Sequence, residues 1–267
     1  MSLRVVICCL LAGLVMTMAG AGAGSPGWWY LSGIVVVAAF VPFLVKGPLE
    51  HWKRFFGIWS ALTAVSVLCL WSEAYIFVPV FRQQSKTMLF GSLFMNTLLA
   101  GAITLCAGLL KLRMAERPAP VALRSLGVIA IGVLGAGLCY VLYYYIFGAI
   151  AFQFFTKPYY TGTGMLGDAE KAASALGWWF PAIQLARGTL MSLGVLPIIL
   201  GTRLPRLRLA IYVGLLVWAI GGLAPLIPPS ALMPLQLRIM HVVEIFAQNF
   251  CLGATAVLLL RPDLYPR

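Results

Sequence analysis

Charged residues are scarce in this sequence, and acidic residues are scarcer still. Only 10% of the 267 residues are charged, and just seven are aspartate or glutamate. Soluble globular domains carry about 25% charged residues. Hydrophobic residues make up 62% of the chain, and apolar runs of about 20 residues, the thickness of a bilayer core, recur along it. The sequence leaves no stretch long enough for a soluble domain and indicates an integral membrane protein with the lipid bilayer as its first partner.

Motifs for metals and cofactors are also missing. The chain has only two histidines, His51 and His241, and contains neither an HExxH motif nor a Walker motif. Residues 241–244 (HVVE) have the spacing HxxE, but no third zinc ligand accompanies them. Six cysteines lie inside apolar segments without CxxC spacing, which is typical of buried, inert thiols. We therefore predict no metal site and no bound cofactor.

Basic residues outnumber acidic ones and give a net charge of +12. In a soluble protein this excess would suggest a nucleic-acid partner. Here the lysines and arginines are dispersed among the short segments between apolar runs, a pattern typical of charge that orients membrane helices. We expect no nucleic-acid partner.

The apolar runs predict an all-α bundle of eight transmembrane helices in a single domain, residues 1–267. The predicted spans are approximately 3–23, 29–45, 55–80, 88–110, 125–155, 181–201, 209–227 and 239–260. The first segment also has the basic residue, apolar run and small residues of a signal peptide, and we assign it as the first span. Residues 132–137 (GVLGAG) predict close packing of the fifth span against a neighbour.

The distribution of lysine and arginine predicts an orientation. With a cytoplasmic N-terminus, thirteen of the nineteen basic residues lie on the cytoplasmic side, five lie outside, and Arg187 lies within a span. The outer five are Arg82, Lys86, Lys157, Lys171 and Arg238. The positive-inside rule therefore predicts two cytoplasmic termini, and we expect the protein in a bacterial inner membrane. The longest outer connection is predicted to contain a short helix over residues 168–176.

Several spans carry polar side chains at similar depths, and this agreement is the strongest functional signal in the sequence. At about 1.5 Å per residue, these side chains lie about 3–14 Å from the outer ends of their spans. They are Glu73, Asn96, Gln184, Arg187, His241, Glu244 and Gln248. Charged groups at such depths are costly and normally pair or line a wet cavity, so the residues predict one polar pocket in the outer half of the bilayer.

The three formal charges predict how this pocket is arranged. We expect Arg187 between Glu73 and Glu244, with the other four polar residues around them. Two carboxylates and one guanidinium sum to −1, so a glutamate or His241 holds a proton, or a cation binds. The alternative is a purely structural cluster, because polar side chains also join transmembrane helices, with about 0.6 kcal/mol per hydrogen bond.

Three functions fit the pattern. The leading hypothesis is a protein that binds or transports a small polar or anionic solute, an ion or a lipid headgroup, with proton coupling. The second is an accessory subunit of a larger membrane complex, which the missing soluble domains and catalytic motifs favour. The third is an intramembrane enzyme acting on a lipid-type substrate, although no set of catalytic residues is visible.

Overall fold

The computed structural model describes seven stretches of the chain: residues 2–22, 25–48, 50–77, 79–112, 125–160, 175–230 and 233–261. Within these stretches the protein is helical, without strands. Eight helices in these stretches are long and apolar enough to cross a membrane: α1 (Leu3–Ala21), α2 (Pro26–Lys46), α3 (His51–Ile76), α4 (Ser85–Leu109), α5 (Leu126–Tyr159), α6 (Trp179–Gly201), α7 (Arg206–Leu226) and α8 (Leu235–Leu260). The all-α class and the number of helices are thus confirmed, and eight such helices indicate an integral membrane protein.

Several helix ends differ from the ends of the predicted spans. α3 begins at His51 rather than at residue 55, and α5 continues to Tyr159 rather than ending at residue 155. Aromatic and basic residues are common where a helix leaves the apolar core, so the backbone remains helical beyond the most apolar stretch. Most of the short helix predicted over 168–176 lies outside the described residues.

α1 packs directly against α2 through two glycines. A Cβ atom at Gly33 would lie 2.5 Å from the carbonyl oxygen of Gly13, so the two backbones are in contact. In α1, the side chains of Val5, Cys8 and Ala12 are buried in the core. The segment with signal-peptide character is therefore an integral part of the packed bundle.

Two facing glycines hold α5 against α6. A Cβ atom at Gly188 would lie 2.6 Å from the Cβ of Tyr140 and 3.0 Å from the Cα of Gly137. Only hydrogen fits at such a contact, and small residues are the usual means by which membrane helices approach closely. The close packing predicted from the GVLGAG segment occurs here, and it brings α5 next to Arg187.

Three of the described helices contain π-helical segments, in which the helix is wider than an α-helix. They are Leu62–Cys69 in α3, Phe152–Thr156 in α5 and Ala219–Leu223 in α7. Such segments are rare and occur frequently at functional sites. A wider turn also leaves backbone carbonyls without their usual donor within the helix.

Polar side chains from neighbouring helices donate to carbonyls in these segments. The Ser66 hydroxyl of α3 donates to the carbonyl oxygen of Ile220 in α7 at 2.7 Å. The Asn96 amide of α4 donates to the carbonyl oxygen of Leu62 in α3 at 3.3 Å. Asn96, which the sequence placed in the polar pocket, thus bonds to the backbone of α3 instead.

Candidate functional site

A cavity of about 600 Å³ lies at one end of the bundle, where α3, α5 and α7 end and α6 and α8 begin. Most of its wall is apolar or aromatic. The charged and amide side chains in the wall are Glu73, Arg187, His241, Glu244, Gln248 and Asn249. A mostly apolar cavity of about 300–1,000 Å³ with a few convergent polar groups is the usual form of a small-molecule site.

Arg187 is held by side chains from two helices. Its Nη2 donates to Glu73 Oε2 on α3 at 2.7 Å, and its Nη1 donates to Gln184 Oε1 on α6 at 2.8 Å. The spacing of three residues puts Gln184 and Arg187 on one face of α6. Arg187 is only 7% exposed, whereas the side chain of Glu73 is 34% exposed. The pair therefore joins α3 to α6 and leaves part of the Glu73 carboxylate open to the cavity.

Two tyrosine rings of α5 flank the same guanidinium. The Cζ atom of Arg187 lies 6.0 Å from the ring centroid of Tyr140 and 5.8 Å from that of Tyr144, within reach of a cation–π interaction. The contact between Gly137 and Gly188 makes this approach possible. Of the guanidinium nitrogens, only Nε is buried without a hydrogen-bond partner.

A second polar group lies on α8, and we call it the α8 cluster: His241, Glu244 and Gln248. Gln248 Nε2 donates to Glu244 Oε1 at 3.1 Å, and His241 Nδ1 lies 3.1 Å from Glu244 Oε2. Spacings of three and four residues place these side chains on one helix face. The side chains of His241 and Glu244 are 15% and 14% exposed, so both are largely withdrawn from solvent but still reach the cavity.

The structure brings most of the predicted site residues to one place. Glu73, Arg187 and all three members of the α8 cluster line the cavity. Gln184 is 1% exposed and lies behind Arg187, to which it is bonded. Asn96 is not in the wall and bonds to α3 instead.

The pairing within the site differs from the predicted one. In the described contacts Arg187 bonds to Glu73 and Gln184, whereas Glu244 bonds to His241 and Gln248. Gln184 occupies one edge of the guanidinium and the tyrosine rings flank it. Arg187 is thus bound to one glutamate rather than placed between two.

Sequence reasoning left Asn249 out of the site. This residue lines the cavity, and its Nδ2 donates to the carbonyl oxygen of Val217 at 3.4 Å, just before the π-helical segment of α7. In a regular helix, Asn249 points about 100° away from Gln248, off the face that carries the α8 cluster. The packing of α8 against α7 gives Asn249 this acceptor, and no local sequence pattern marks that contact.

Tyr140, Tyr144 and Gly148 were also missed. They line the cavity from α5, in a tyrosine-rich stretch whose composition is equally suited to packing. The available signal was the glycine motif at residues 132–137, since it brings this face of α5 against α6. The cation–π contacts themselves depend on the rotation of α5 about its axis, which periodicity does not give.

Two nucleophile candidates near the cavity, the Cys69 thiol and the Ser72 hydroxyl, bond to the backbone. The Cys69 thiol donates to the Arg187 carbonyl oxygen at 3.6 Å, and the Ser72 hydroxyl donates to the Cys69 carbonyl oxygen at 2.8 Å. A nucleophile instead needs its proton directed at a neighbouring base. Across the described residues, no group of three or more His, Cys, Asp or Glu side chains could hold a metal ion.

Comparisons with protein-family models, with curated proteins and with solved structures find no match to this chain.

Proposed function

We propose that this protein binds a small amphipathic solute in the cavity and moves it across the membrane with proton coupling. One observation carries the proposal: a cavity of about 600 Å³ in which apolar walls enclose two separate charged groups, Glu73 with Arg187 and the α8 cluster. A polar head of the solute would lie at the charged groups, and its apolar part would contact the aromatic wall.

The position of the charges beside a void supports a binding role over a purely structural one. Protein interiors are close-packed, and a void deprives the atoms around it of dispersion contacts. A cluster that served only to join helices would gain by being packed on all sides. Here Glu73 and the α8 cluster border open space, an arrangement that is useful when a ligand fills it.

The close contact of His241 with Glu244 supports proton coupling. Their nearest polar atoms are 3.1 Å apart, so one proton can be shared between the imidazole and the carboxylate. Histidine is the side chain that ordinarily changes charge between about pH 5 and pH 8. Loss or gain of that proton would change the charge of the cavity as a solute enters or leaves.

The charge distribution also supports a location and an orientation for the cavity. We propose a bacterial inner membrane with both termini in the cytoplasm, as the positive-inside rule predicts. The end of the bundle that holds the cavity would then face outward. His241 lies six residues after the start of α8 at Leu235 and would be close to the outer surface.

Accessibility of an introduced thiol tests the proposal. Ala74 lines the cavity, and Ala74→Cys in a variant without the six native cysteines would place one thiol in its wall. We expect a charged, membrane-impermeant thiosulfonate to label this thiol in liposomes of defined orientation. Labelling from both sides of the membrane would support movement of a solute, whereas labelling from the outer side alone would support a one-sided binding site.

Two phenylalanine substitutions on α5 provide the control. A Cβ atom at Gly148 would lie 3.5 Å from Glu244 Oε1 and 3.6 Å from Gln248 Nε2, so the ring of Gly148→Phe would project into the cavity. Gly127 has open space around it, and Gly127→Phe leaves the cavity unchanged. Only the first change should slow labelling of residue 74. A thiol that never reacts would contradict the proposal and favour an accessory subunit.

A further inference from the structure

We infer that the ligand of this cavity is an organic cation, whose positive group lies beside Glu244 and whose apolar body lies against aromatic rings of α5 and α6. The inference rests on the proposed function and assigns the chemical class of its solute. It departs from the anionic ligand that a buried arginine ordinarily suggests.

Arg187 is poorly placed to bind an anion. One Nη nitrogen is bonded to Glu73 and the other to Gln184. Tyr140 and Tyr144 flank the guanidinium within 6.0 Å. Arg187 is 7% exposed, which leaves little of it for a ligand. An incoming anion would have to displace the Glu73 carboxylate, and the displaced carboxylate would then be a second, unpaired negative charge in the cavity.

Among the described residues, Glu244 has no basic partner other than His241. Gln248 donates to it as a neutral amide, and a neutral His241 also offers only a hydrogen bond. Among the described residues that line the cavity, the formal charges are those of Glu73, Arg187 and Glu244, which sum to −1 when the histidine is neutral. A cation beside Glu244 would bring that sum to zero, and buried charges are normally paired.

The wall beside Glu244 has room for such a group. Gly148 on α5 faces the carboxylate, and even a Cβ atom added there would meet Oε1 only at 3.5 Å. The missing side chain leaves space between α5 and α8 that a positive group can occupy. An Ala at this position would still fit, whereas a larger side chain would enter that space.

Aromatic rings form the next part of the wall. Phe180 of α6 packs edge-on against Tyr144 at 5.8 Å and Tyr145 at 5.9 Å between centroids, and all three residues line the cavity. Clusters of aromatic rings beside a carboxylate suit substituted ammonium and other soft cations, because the ring faces carry negative charge and the rings bury apolar substituents. The cavity is also far larger than a metal ion, so an organic cation fits it better.

Protonation of His241 would oppose binding of the cation. An imidazolium 3.1 Å from Glu244 supplies the counter-charge that the ligand would otherwise supply. The other titratable or charged side chains in the wall are Cys69 and Glu73 on α3, Tyr140, Tyr144 and Tyr145 on α5, and Arg187 on α6. Cation affinity should therefore be lower at a pH at which His241 is protonated.

Two probes of similar shape and opposite charge test the inference: tetraphenylphosphonium and tetraphenylborate. Each probe is used in tritiated form, and its saturable binding to the purified protein is measured in detergent. We expect the cation to bind at about pH 8 and to weaken about tenfold or more at about pH 5, and the anion not to bind saturably. Gly148→Phe should abolish cation binding, and Gly127→Phe should leave it unchanged.

Charge variants test whether the cation contacts Glu244. Glu244→Gln keeps a hydrogen-bonding side chain of the same size and should weaken cation binding by about tenfold to a hundredfold. Glu50→Gln is the matched control, because Glu50 is half exposed and bonded to Lys53 away from the cavity wall. His241→Gln should remove most of the dependence of cation binding on pH, whatever its effect on the affinity itself. A monodisperse elution profile for each variant separates a binding defect from unfolding.

The results of the probe binding and thiol labelling experiments distinguish a failure of the cationic ligand from a failure of the proposed binding function. If tetraphenylborate binds saturably and Gly148→Phe removes that binding, the inference that the ligand is a cation is wrong. The proposal that the cavity binds a solute would still stand. If residue 74 is labelled but neither probe binds, the inference of a cationic ligand is again wrong, and the proposed binding cavity is not contradicted. A cavity closed to the thiol reagent would overturn both.

Discussion

Arg187 and Glu73 carry opposite charges on two different helices, and each depends on the other for neutralisation. Their nearest polar atoms are 2.7 Å apart, and the arginine is almost fully buried. Removing one member of a buried pair is costlier than removing both, because the survivor keeps an unpaired charge in a poorly solvated place. A double-mutant cycle can detect this dependence.

Arg187→Leu should lower the free energy of unfolding by about 3–5 kcal/mol, the usual range for breaking a buried pair. We expect the lower end of that range, because the Glu73 side chain is 34% exposed and water can stabilise it in part. Adding Glu73→Gln should restore part of the loss. Adding Glu244→Gln should restore less, since His241 and Gln248 hold that carboxylate. The measurement is thermal unfolding of all variants in one detergent.

The exposed pair of Lys53 and Glu50 is the control for this cycle. Its nitrogen and oxygen are 2.8 Å apart, but the side chains are 46% and 50% exposed. Lys53→Leu and Glu50→Gln should each change the stability by less than about 1 kcal/mol. Losses that simply add between Arg187→Leu and Glu73→Gln would mean that the two side chains do not stabilise each other.

Helix ends, at the scale of whole elements, are completed by arginine side chains from elsewhere in the chain. The last carbonyls of a helix lack donors within the helix itself. Arg54 donates at the end of α2, Arg238 at the end of α7 and Arg261 at the end of α6. Basic residues that the sequence linked to topology thus also cap helices, and Arg238 on the predicted outer side has a structural reason to be there.

Arg261→Ala should destabilise the bundle by about 1–3 kcal/mol, because it leaves buried backbone acceptors without their donor. Its Nη1 donates to the carbonyl oxygens of Ile199 at 2.5 Å and Leu200 at 3.3 Å, and the residue is 1% exposed. Burial and the neighbouring Arg203 lower the pKa of Arg261, but an arginine side chain keeps its charge in proteins. Thermal unfolding of the variant measures the loss.

Arg208→Ala is the matched control for this capping prediction, since Arg208 is exposed near the start of α7. It should alter the stability by no more than about 0.5 kcal/mol. Equal unfolding temperatures for the two alanine variants would show that the bonds from Arg261 to α6 contribute nothing.

At the scale of the whole molecule, the sequence predicts an excess of basic residues on the cytoplasmic side, and this orientation decides on which side of the membrane the cavity opens. α7 offers a direct test, because its two ends lie next to exposed residues, Arg208 and Pro229. In a cysteine-free background, a membrane-impermeant thiol reagent added to intact cells should label Pro229→Cys and leave Arg208→Cys unlabelled. Labelling of residue 208 from outside would invert the orientation, and the cavity would then open towards the cytoplasm.

The sequence by itself determined that the protein is a bundle of apolar helices, and how far its polar residues lie from the helix ends. A helix that crosses a bilayer satisfies its own backbone, so composition and length are enough to locate it. The distance of Glu73, Arg187 and Glu244 from their helix ends then follows from a fixed rise per residue. For this reason five of the seven residues predicted from the sequence line one cavity in the structure.

Only the tertiary structure decided which of these residues bond to one another. Pairing depends on how each helix is rotated and how closely it approaches its neighbours, and both depend on contacts distant in sequence. The contact of Gly137 with Gly188 sets the tyrosine rings against Arg187, and Asn96 bonds to the backbone of α3 away from the cavity. Residues near in depth therefore separate into two groups, because side chains bond to the partner that packing puts within reach.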